Sequence, residues 1–304
     1  MSTQSDVRPA PLERQAASAA DIPAIRQFFA SVRRELWESR SIYIAPMAVA
    51  ALFLFGFLIS ARHLPETLRS VSSAAELQGV IQQPYDFVAF LMMGVSALVA
   101  VIYCLDALYG ERRDRSILFW KSLPVSDTTA ILSKMTVPVL IVPIVAVAVT
   151  VATHLAMLVF SSVIISGSGA GAATLWSTVP LFHMWATLVV HLVAGHGLWY
   201  APIWGWLLLV SAWARRAPFL WAVLPPFTIG VVEKVAFNTS YFATILRGLI
   251  GGPVTGRSAG MSMDAMTPYT LGHLLGSPGL WVGFATATVF LAGAIRLRRF
   301  GGPS

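Results

Sequence analysis

Four histidines are the side chains best suited to metal or proton chemistry in this 304-residue chain: His154, His183, His191 and His196. His191 and His196 are five positions apart, about 140° around a helix, whereas helical zinc ligands are more often three or four apart. This spacing favours hydrogen-bonding or cavity-lining histidines over metal ligands. The single cysteine, Cys104, leaves no disulfide framework and no cysteine-based metal site. We therefore expect no catalytic residue, no metal and no cofactor on this chain.

ATP hydrolysis is the next chemistry to consider, because phosphate-binding loops need a glycine-lysine pair followed by serine or threonine. None of the three lysines, Lys121, Lys134 and Lys234, follows a glycine. The glycine-rich segment 167–172 contains no lysine. The HExxH metalloprotease motif and the GxSxG hydrolase motif are also missing from the sequence. These observations exclude an ATPase of the Walker type on this chain and argue against an enzyme.

The densest group of charges is a run of five residues in a chain that is only 12% charged: Glu111, Arg112, Arg113, Asp114 and Arg115. A compact apolar group follows almost directly: Ile117, Leu118, Phe119 and Trp120. Apolar anchors can fill a groove on a partner, and charge pairs can fix the register. The loop 110–127 is therefore predicted to be a docking element between two membrane helices.

The elements that must position this loop are membrane helices. Hydrophobic residues make up 56% of the chain and the mean hydropathy is +0.71, whereas soluble proteins carry roughly 25% charged residues. A helix needs about 20 apolar residues to cross the hydrocarbon layer. The sequence predicts an all-α membrane domain at 42–304 with six spans, at about 42–61, 85–109, 135–160, 181–212, 217–237 and 279–295.

The N-terminal region is predicted to lie outside the membrane. Residues 1–20 are rich in Ala, Ser, Pro and charge, and are expected to be disordered. Residues 21–41 are expected to form an amphipathic helix in the plane of the membrane surface. Its apolar face includes Ile25 and Phe29, while residues such as Arg34 point away. A helix packed on a soluble partner is the other interpretation.

The distribution of basic residues predicts the orientation. Sixteen of the 21 Lys and Arg residues fall in the N-terminal tail, the loops after the second and fourth spans, and the C-terminal tail. Because basic residues concentrate on the cytoplasmic side of a membrane, both termini and the loop 110–127 are predicted to be cytoplasmic. The net charge of +7 is spread along the flanks of apolar runs, so it does not indicate nucleic-acid binding.

The segment 240–250 is apolar enough to form a helix but too short to cross the membrane. Gly251, Gly252 and Pro253 follow it and end the helix. We expect a re-entrant or interfacial hairpin on the outer side before the last span, with an ordinary outer loop as the simpler alternative.

Three polar residues in or near the predicted spans are candidates for a transport pathway or a structural polar contact: Asp106, His191 and Glu233. Polar side chains at membrane depth are costly and usually face a cavity or a partner. Asp106 lies just before the charged run and could pair with a neighbouring arginine. Glu233 lies near the outer end of the fifth span, where it could instead reach the interface.

The segment from Tyr103 through Asp106 and Glu111-Arg112 to Leu123-Pro124-Val125 resembles the cytoplasmic loop of ABC-2 type transporter permeases. The resemblance implies a subunit of a type V, ABCG-like exporter in the inner membrane of a bacterium. It implies a pathway formed by two permease copies in contact with membrane lipid. It also implies two copies of a separate ATPase, which binds ATP and Mg and docks on the coupling helix within 110–127.

Two other classes of function remain open from the sequence. A secondary transporter or channel not driven by ATP would need coupling charges near the middle of the membrane, and the predicted spans contain few acidic residues. An intramembrane enzyme or redox protein would have to use the histidines. Dependence on an ion gradient would support the first class, and a bound haem or metal would support the second.

Overall fold

The computed structural model describes residues 23–70, 73–114, 125–167, 176, 179–251 and 275–300. Every regular element in these ranges is helical. The chain begins with α1 (Ala24–Glu38), α2 (Ser41–Ala61), α3 (Leu64–Ser70), α4 (Ala74–Asp106) and α5 (Tyr109–Arg113). It continues with α6 (Asp127–Thr136), a π-helical segment π1 (Val137–Ile141) and α7 (Val142–Gly167). The later elements are α8 (Leu181–Val190), a π-helical segment π2 (His191–Trp199), α9 (Ala201–Trp213), α10 (Pro218–Phe237), α11 (Tyr241–Gly251) and α12 (Pro278–Phe300).

Among the described residues, six helical runs are long and apolar enough to cross a membrane, which confirms the predicted all-α, multi-pass character. They are α2, α4 with α5, α6 with π1 and α7, α8 with π2, α10, and α12. The predicted span 181–212 covers α8, π2 and α9, with a turn at Tyr200 between the last two. The chain is therefore a helical protein of the membrane-spanning type.

Two helices begin earlier than the hydropathy of the sequence indicates. α4 begins at Ala74, although the span was predicted from residue 85, and α6 begins at Asp127, although the next span was predicted from residue 135. In each case a serine caps the helix. Ser73 Oγ accepts from the Glu76 amide at 3.2 Å, and Ser126 Oγ accepts from the Thr129 amide at 3.1 Å. Such caps satisfy amides that a helix start leaves without a partner. Hydropathy detects only the apolar part of a helix, so these polar first turns were missed.

The two π-helical segments pack against each other. Gly197 lies directly against Val139, where an added methyl group would overlap the Val139 carbonyl oxygen. Only glycine fits at position 197 without a backbone shift. Pro138 in π1 has no amide hydrogen, which accounts for the loss of regular α-helical bonding there. Wide turns of this kind are rare and are frequently found at functional sites.

α9 and α12 form the most extensive helix pair in the described bundle. Small residues allow this close packing: a Cβ atom added at Gly205 would lie 3.3 Å from the Ala287 carbonyl oxygen. At Gly293 an added Cβ would lie 3.0 Å from a methyl group of Leu209. Membrane helices commonly associate through small residues, because lipid provides no hydrophobic driving force between them. α9 and α12 therefore form the closely packed central pair of the described bundle, and other elements pack against this pair.

α10 differs sharply from this pair. In the most apolar 18-residue stretch of α10, only 6% is buried, whereas 56% of the corresponding stretch of α4 and α5 is buried. Large apolar side chains along α10 are exposed, including Phe227 at 65% and Val235 at 80%. An apolar helix with so little burial lies at the periphery of the bundle, where lipid or another chain can cover it.

α1 packs along α6, and its inward face is charged. Glu35 is only 3% exposed, whereas the apolar Ile25 and Phe29 are 65% and 64% exposed. The Arg34 guanidinium donates to Glu111 of α5 at 3.0 Å, and the Arg34 side chain is 24% exposed. Charged residues of α1 and its partly buried Leu36 pack against the bundle. The predicted place of this helix at a membrane surface stays a prediction.

Candidate functional site

A cluster of buried charges lies where α1, α5, α6 and the end of α12 meet, which we call the charged end of the bundle. Six side chains form this ion cluster: Arg34, Glu35, Glu111, Asp127, Lys134 and Arg298. Four of them, Glu35, Glu111, Lys134 and Arg298, are less than 9% exposed. Charged side chains are almost never this buried unless they are paired. The ion cluster is therefore the most distinctive chemical feature of the described structure.

Glu35 and Lys134 form the most deeply buried pair. The Lys134 ammonium donates to both carboxylate oxygens of Glu35, at 2.8 and 3.0 Å. The Tyr103 hydroxyl, from α4, donates to Glu35 Oε2 at 2.9 Å. α1, α4 and α6 are thus joined through one carboxylate. Charge-assisted bonds of this length are about twice as strong as neutral ones.

Glu111 is the centre of the ion cluster. Its Oε1 accepts from Arg34 Nη2 at 3.0 Å and lies 3.1 Å from the Lys134 ammonium. Its Oε2 accepts from Arg298 Nη1 at 2.9 Å. One carboxylate therefore joins α5 to α1, α6 and α12. Glu111 stands at the start of the loop 110–127, so the base of that loop is held by three helices.

Arg298 closes the ion cluster on the other side. Its Nε donates to Asp127 Oδ1 at 3.1 Å, so α12 is also joined to the start of α6. Three cations face three carboxylates, which makes the cluster neutral as a whole. A buried group of this kind adds little net stability compared with apolar packing, but removal of a single member costs about 3–5 kcal/mol. The arrangement fixes geometry more than it increases stability.

Glu38 extends the ion cluster towards water. Its Oε1 lies 3.3 Å from Arg34 Nε, and its side chain is about half exposed. Burial against the bundle raises the pKa of the Glu38 carboxyl, and the nearby Arg34 guanidinium lowers it by a smaller amount. Glu38 is the member of this region most open to protonation from solution.

The remaining charges of the predicted docking element fall into two groups. Arg112 is half-buried and donates through Nη2 to the carbonyl oxygens of Ser211 and Ala214, at 2.6 and 2.7 Å. Arg113 and Asp114 are exposed and pair with each other at 3.0 Å. Arg115 and the apolar group at 117–120 lie outside the described residues.

These placements reduce the number of described charges that are free to contact a docking partner. Glu111 and Arg112 were expected to fix register with a partner, but their contacts lie within this chain. Arg113 and Asp114 are the charges that face solvent. The part played by Ile117, Leu118, Phe119 and Trp120 in docking stays a prediction.

The three candidate pathway residues lie far apart. Asp106 is exposed, and Arg113 Nη1 lies 3.9 Å from its Oδ1. Arg113 is therefore the neighbouring arginine with which Asp106 could pair. His191 is buried in π2, where Nδ1 donates to the Thr187 carbonyl at 2.8 Å. Glu233 caps α11 at the other end of the molecule. The structure does not bring these residues into one site.

The Glu233 carboxylate holds the start of α11. It accepts from the Tyr241 amide at 2.6 Å, the Phe242 amide at 2.8 Å and the Thr239 hydroxyl at 2.9 Å. A carboxylate at a helix N-terminus both accepts free amides and complements the helix dipole. The far end of α11 is held by the fourth predicted span, where Trp199 Nε1 donates to the Leu249 carbonyl at 3.1 Å.

His154 has partners for both ring nitrogens. Trp185 Nε1 donates to its Nδ1 at 3.2 Å, so Nδ1 is an acceptor and Nε2 donates to the Tyr85 carbonyl at 3.0 Å. This leaves no lone pair for a metal. Within the described ranges, no group of three or more His, Cys, Asp or Glu side chains is placed to hold a metal ion.

Several members of the ion cluster were not predicted as site residues. From the sequence, Lys134 and Arg298 counted only among the basic residues that flank spans, and no contact was predicted for Glu35 or for the Tyr103 hydroxyl. One signal was available: Lys134 lies among Ile131, Leu132 and Met135, where a lone charge on an apolar stretch of helix needs a buried partner. The identity of that partner could not be read from the sequence.

Comparisons with protein-family models, with curated proteins and with solved structures find no match to this chain.

Proposed function

We propose that this chain is the membrane-spanning permease subunit of an ATP-driven exporter, and that a separate ABC-type ATPase docks on the loop 110–127. The observation that supports this most directly is the attachment of the loop base to the bundle through Glu111. A docking loop can transmit force only if its base does not move independently of the helices it drives. The resemblance of the loop to ABC-2 type permeases supplies the class of partner and the direction of transport.

The described base of the loop has residues held by contacts within the chain and residues exposed to solvent. Glu111 and Arg112 are held by contacts within the chain, whereas Arg113 and Asp114 face solvent and precede the apolar group 117–120 in the sequence. Exposed charges at the edge of an interface mainly set association rate and orientation, and apolar anchors supply most of the affinity. Phe119 and Trp120 are therefore the proposed anchors in the ATPase, with the coupling helix formed around them.

The exposed apolar surface of α10 is consistent with a permease that works as a pair. α10 exposes most of its length, and a second copy or membrane lipid would cover it. In this proposal α1 lies at the cytoplasmic membrane surface, and α11 is the outer re-entrant hairpin. The charged end is cytoplasmic, both termini are cytoplasmic, and the membrane is the inner membrane of a bacterium.

One observation favours the alternative of a secondary transporter or channel. Asp86 is only 4% exposed within α4, in a helix apolar enough to span the membrane. Asp86 lies near the start of the predicted span 85–109, and acidic side chains within spans mark pathways for protons or other ions. This alternative predicts transport that depends on an ion gradient and is unaffected by loss of the loop 115–124.

The test is capture of the partner from native membranes with tagged full-length chain in mild detergent. Wild-type protein is expected to bring down an ABC-type ATPase in stoichiometric amount, identified by mass spectrometry, with measurable ATP hydrolysis. The variant Phe119→Ala/Trp120→Ala is expected to lose most of the captured ATPase. The control variant Tyr241→Ala/Ile245→Ala removes two exposed apolar side chains from α11 and is expected to capture as well as wild type. Capture of no nucleotide-binding chain by the wild type would overturn the proposal.

A further inference from the structure

The Ser211 hydroxyl, on α9, is completely buried and holds the turn between α4 and α5. It donates to the Leu105 carbonyl at 2.8 Å. It also accepts from the backbone amides of Leu108 and Tyr109, at 3.0 and 2.9 Å. One side chain thus satisfies three backbone groups where α4 ends. Buried backbone groups without partners are costly, so this turn depends on a hydroxyl supplied by another helix.

Arg112 makes the reciprocal connection. Its Nη2 donates to the backbone carbonyls of Ser211 and Ala214, which lie at the end of α9. The last carbonyls of a helix have no partner within that helix, and a guanidinium both satisfies them and complements the helix dipole. α9 therefore holds the base of the loop, and the base of the loop holds the end of α9.

The end of α9 leads directly into α10. Residues 214–217 connect the two helices, and Ala217 adopts a left-handed backbone with φ of 48°. The Trp213 and Trp221 rings pack edge to face, with 4.8 Å between the ring centroids. Trp206 Nε1 donates to the Ala222 carbonyl at 3.1 Å. A short turn and these two contacts tie the first turns of α10 to α9.

We propose that Ser211 and Arg112 are positioning residues that carry movement of the loop 110–127 through α9 to α10. This inference rests on the proposed function, because it takes the loop as the element that an ATPase moves. The link uses none of the six residues of the ion cluster, although Arg112 is the neighbour of Glu111 on α5, and α9 packs against α12, which carries Arg298. Movement of the loop base therefore reaches two places. It reaches the rest of the charged end through the ion cluster, and it reaches the exposed helix α10 through the Ser211–Arg112 link.

The test follows α10 directly in the purified complex of this chain with its captured ATPase. Cys104 is replaced by alanine, and a single cysteine is placed by Val235→Cys, near the far end of α10 at an exposed position. The rate of maleimide labelling is measured without nucleotide and after trapping with Mg-ATP and vanadate. In the otherwise wild-type chain, the trapped state is expected to change the labelling rate.

Adding Ser211→Ala is expected to abolish this nucleotide-dependent change while the ATPase remains bound and hydrolyses ATP. Ser211→Thr keeps the hydroxyl and is expected to restore the change. Ser96→Ala is the matched control, because Ser96 is also buried but donates only to the Met93 carbonyl within its own helix. If Ser211→Ala yields no folded protein, Arg112→Ala tests the same link from the half-buried side.

The two proposals fail in different ways. Capture of no nucleotide-binding chain by the wild type would overturn the proposed function and this inference together. A wild-type complex that contains the ATPase but shows no nucleotide-dependent labelling would overturn this inference alone. A wild-type complex that responds, with Ser211→Ala or Arg112→Ala responding equally, would overturn this inference alone. Loss of the response in the Ser211→Ala chain and its return with threonine would establish the link, since a general loss of stability would not spare the bound ATPase.

Discussion

The two ends of the bundle use charged residues in opposite ways. At the charged end, ion pairs join residues 77, 99 and 187 positions apart, on four different helices. At the other end, the Glu233 carboxylate serves only residues six to nine positions further along the chain. The first arrangement joins distant elements into one unit, and the second stabilises a single hairpin. One end is therefore built to move as a whole, and the other contains parts that can move separately.

The largest expected effect comes from breaking the charged end at Lys134. Lys134→Met leaves Glu35 and one oxygen of Glu111 buried without their ammonium partner, which costs about 3–5 kcal/mol. The thermal midpoint of the detergent-solubilised protein should fall by roughly 10 °C. Arg113→Ala, which removes an exposed cation nearby, is the control and should change the midpoint little. Equal midpoints for the two variants would show that the ion cluster does not hold the helices together.

A second change tests whether charge or only filled space is required there. Glu35→Leu/Lys134→Met removes both members of the deepest pair, so no uncompensated charge is left between α1 and α6. The double variant should recover more than half of the stability lost by Lys134→Met. Recovery stays incomplete because the Tyr103 hydroxyl loses its acceptor. Thermal unfolding of both variants measures this, and a double variant no more stable than the single one would contradict it.

The matching change at the other end is Glu233→Ala. Loss of the helix cap should destabilise the first turn of α11 and leave the distant helices unaffected. Hydrogen exchange of the amides at 239–246 should accelerate, while the thermal midpoint of the whole protein stays close to wild type. A drop as large as that of Lys134→Met would show that Glu233 also holds distant elements, and the contrast between the two ends would be lost.

The smallest expected effect concerns pH. Because burial raises the pKa of Glu38, its ionised form is less favourable in the folded state than in the unfolded state at neutral pH. Glu38→Gln should therefore raise the thermal midpoint at pH 7, by about 1 °C or less for so exposed a group. Below the ordinary pKa of a glutamate both side chains are neutral, so the difference should vanish near pH 4. A larger gain at pH 4 than at pH 7 would contradict this sign.

Some of this architecture could be predicted from the sequence, and the reason lies in the type of information each feature needs. The helix α2 at Ser41–Ala61 is a local apolar run, so the sequence predicted it closely. The start of α4 depends on the Ser73 cap and on polar turns that hydropathy does not register. The partner of Lys134 lies 99 positions away, and one sequence contains no signal for a contact at that distance. Ser211 was missed for the same reason, since its three partners are backbone groups at the turn between α4 and α5, 102 to 106 positions away.

The ion cluster also has a consequence for the order of biosynthesis. Glu35, Glu111 and Asp127 are synthesised before Lys134, and Arg298 comes last, after every other helix has been made. Until Arg298 arrives, three carboxylates share two cations, and the charged end cannot reach neutrality. A nascent or truncated chain without α12 therefore keeps one carboxylate of the charged end without its guanidinium partner, so this end can be completed only after the last helix has been made.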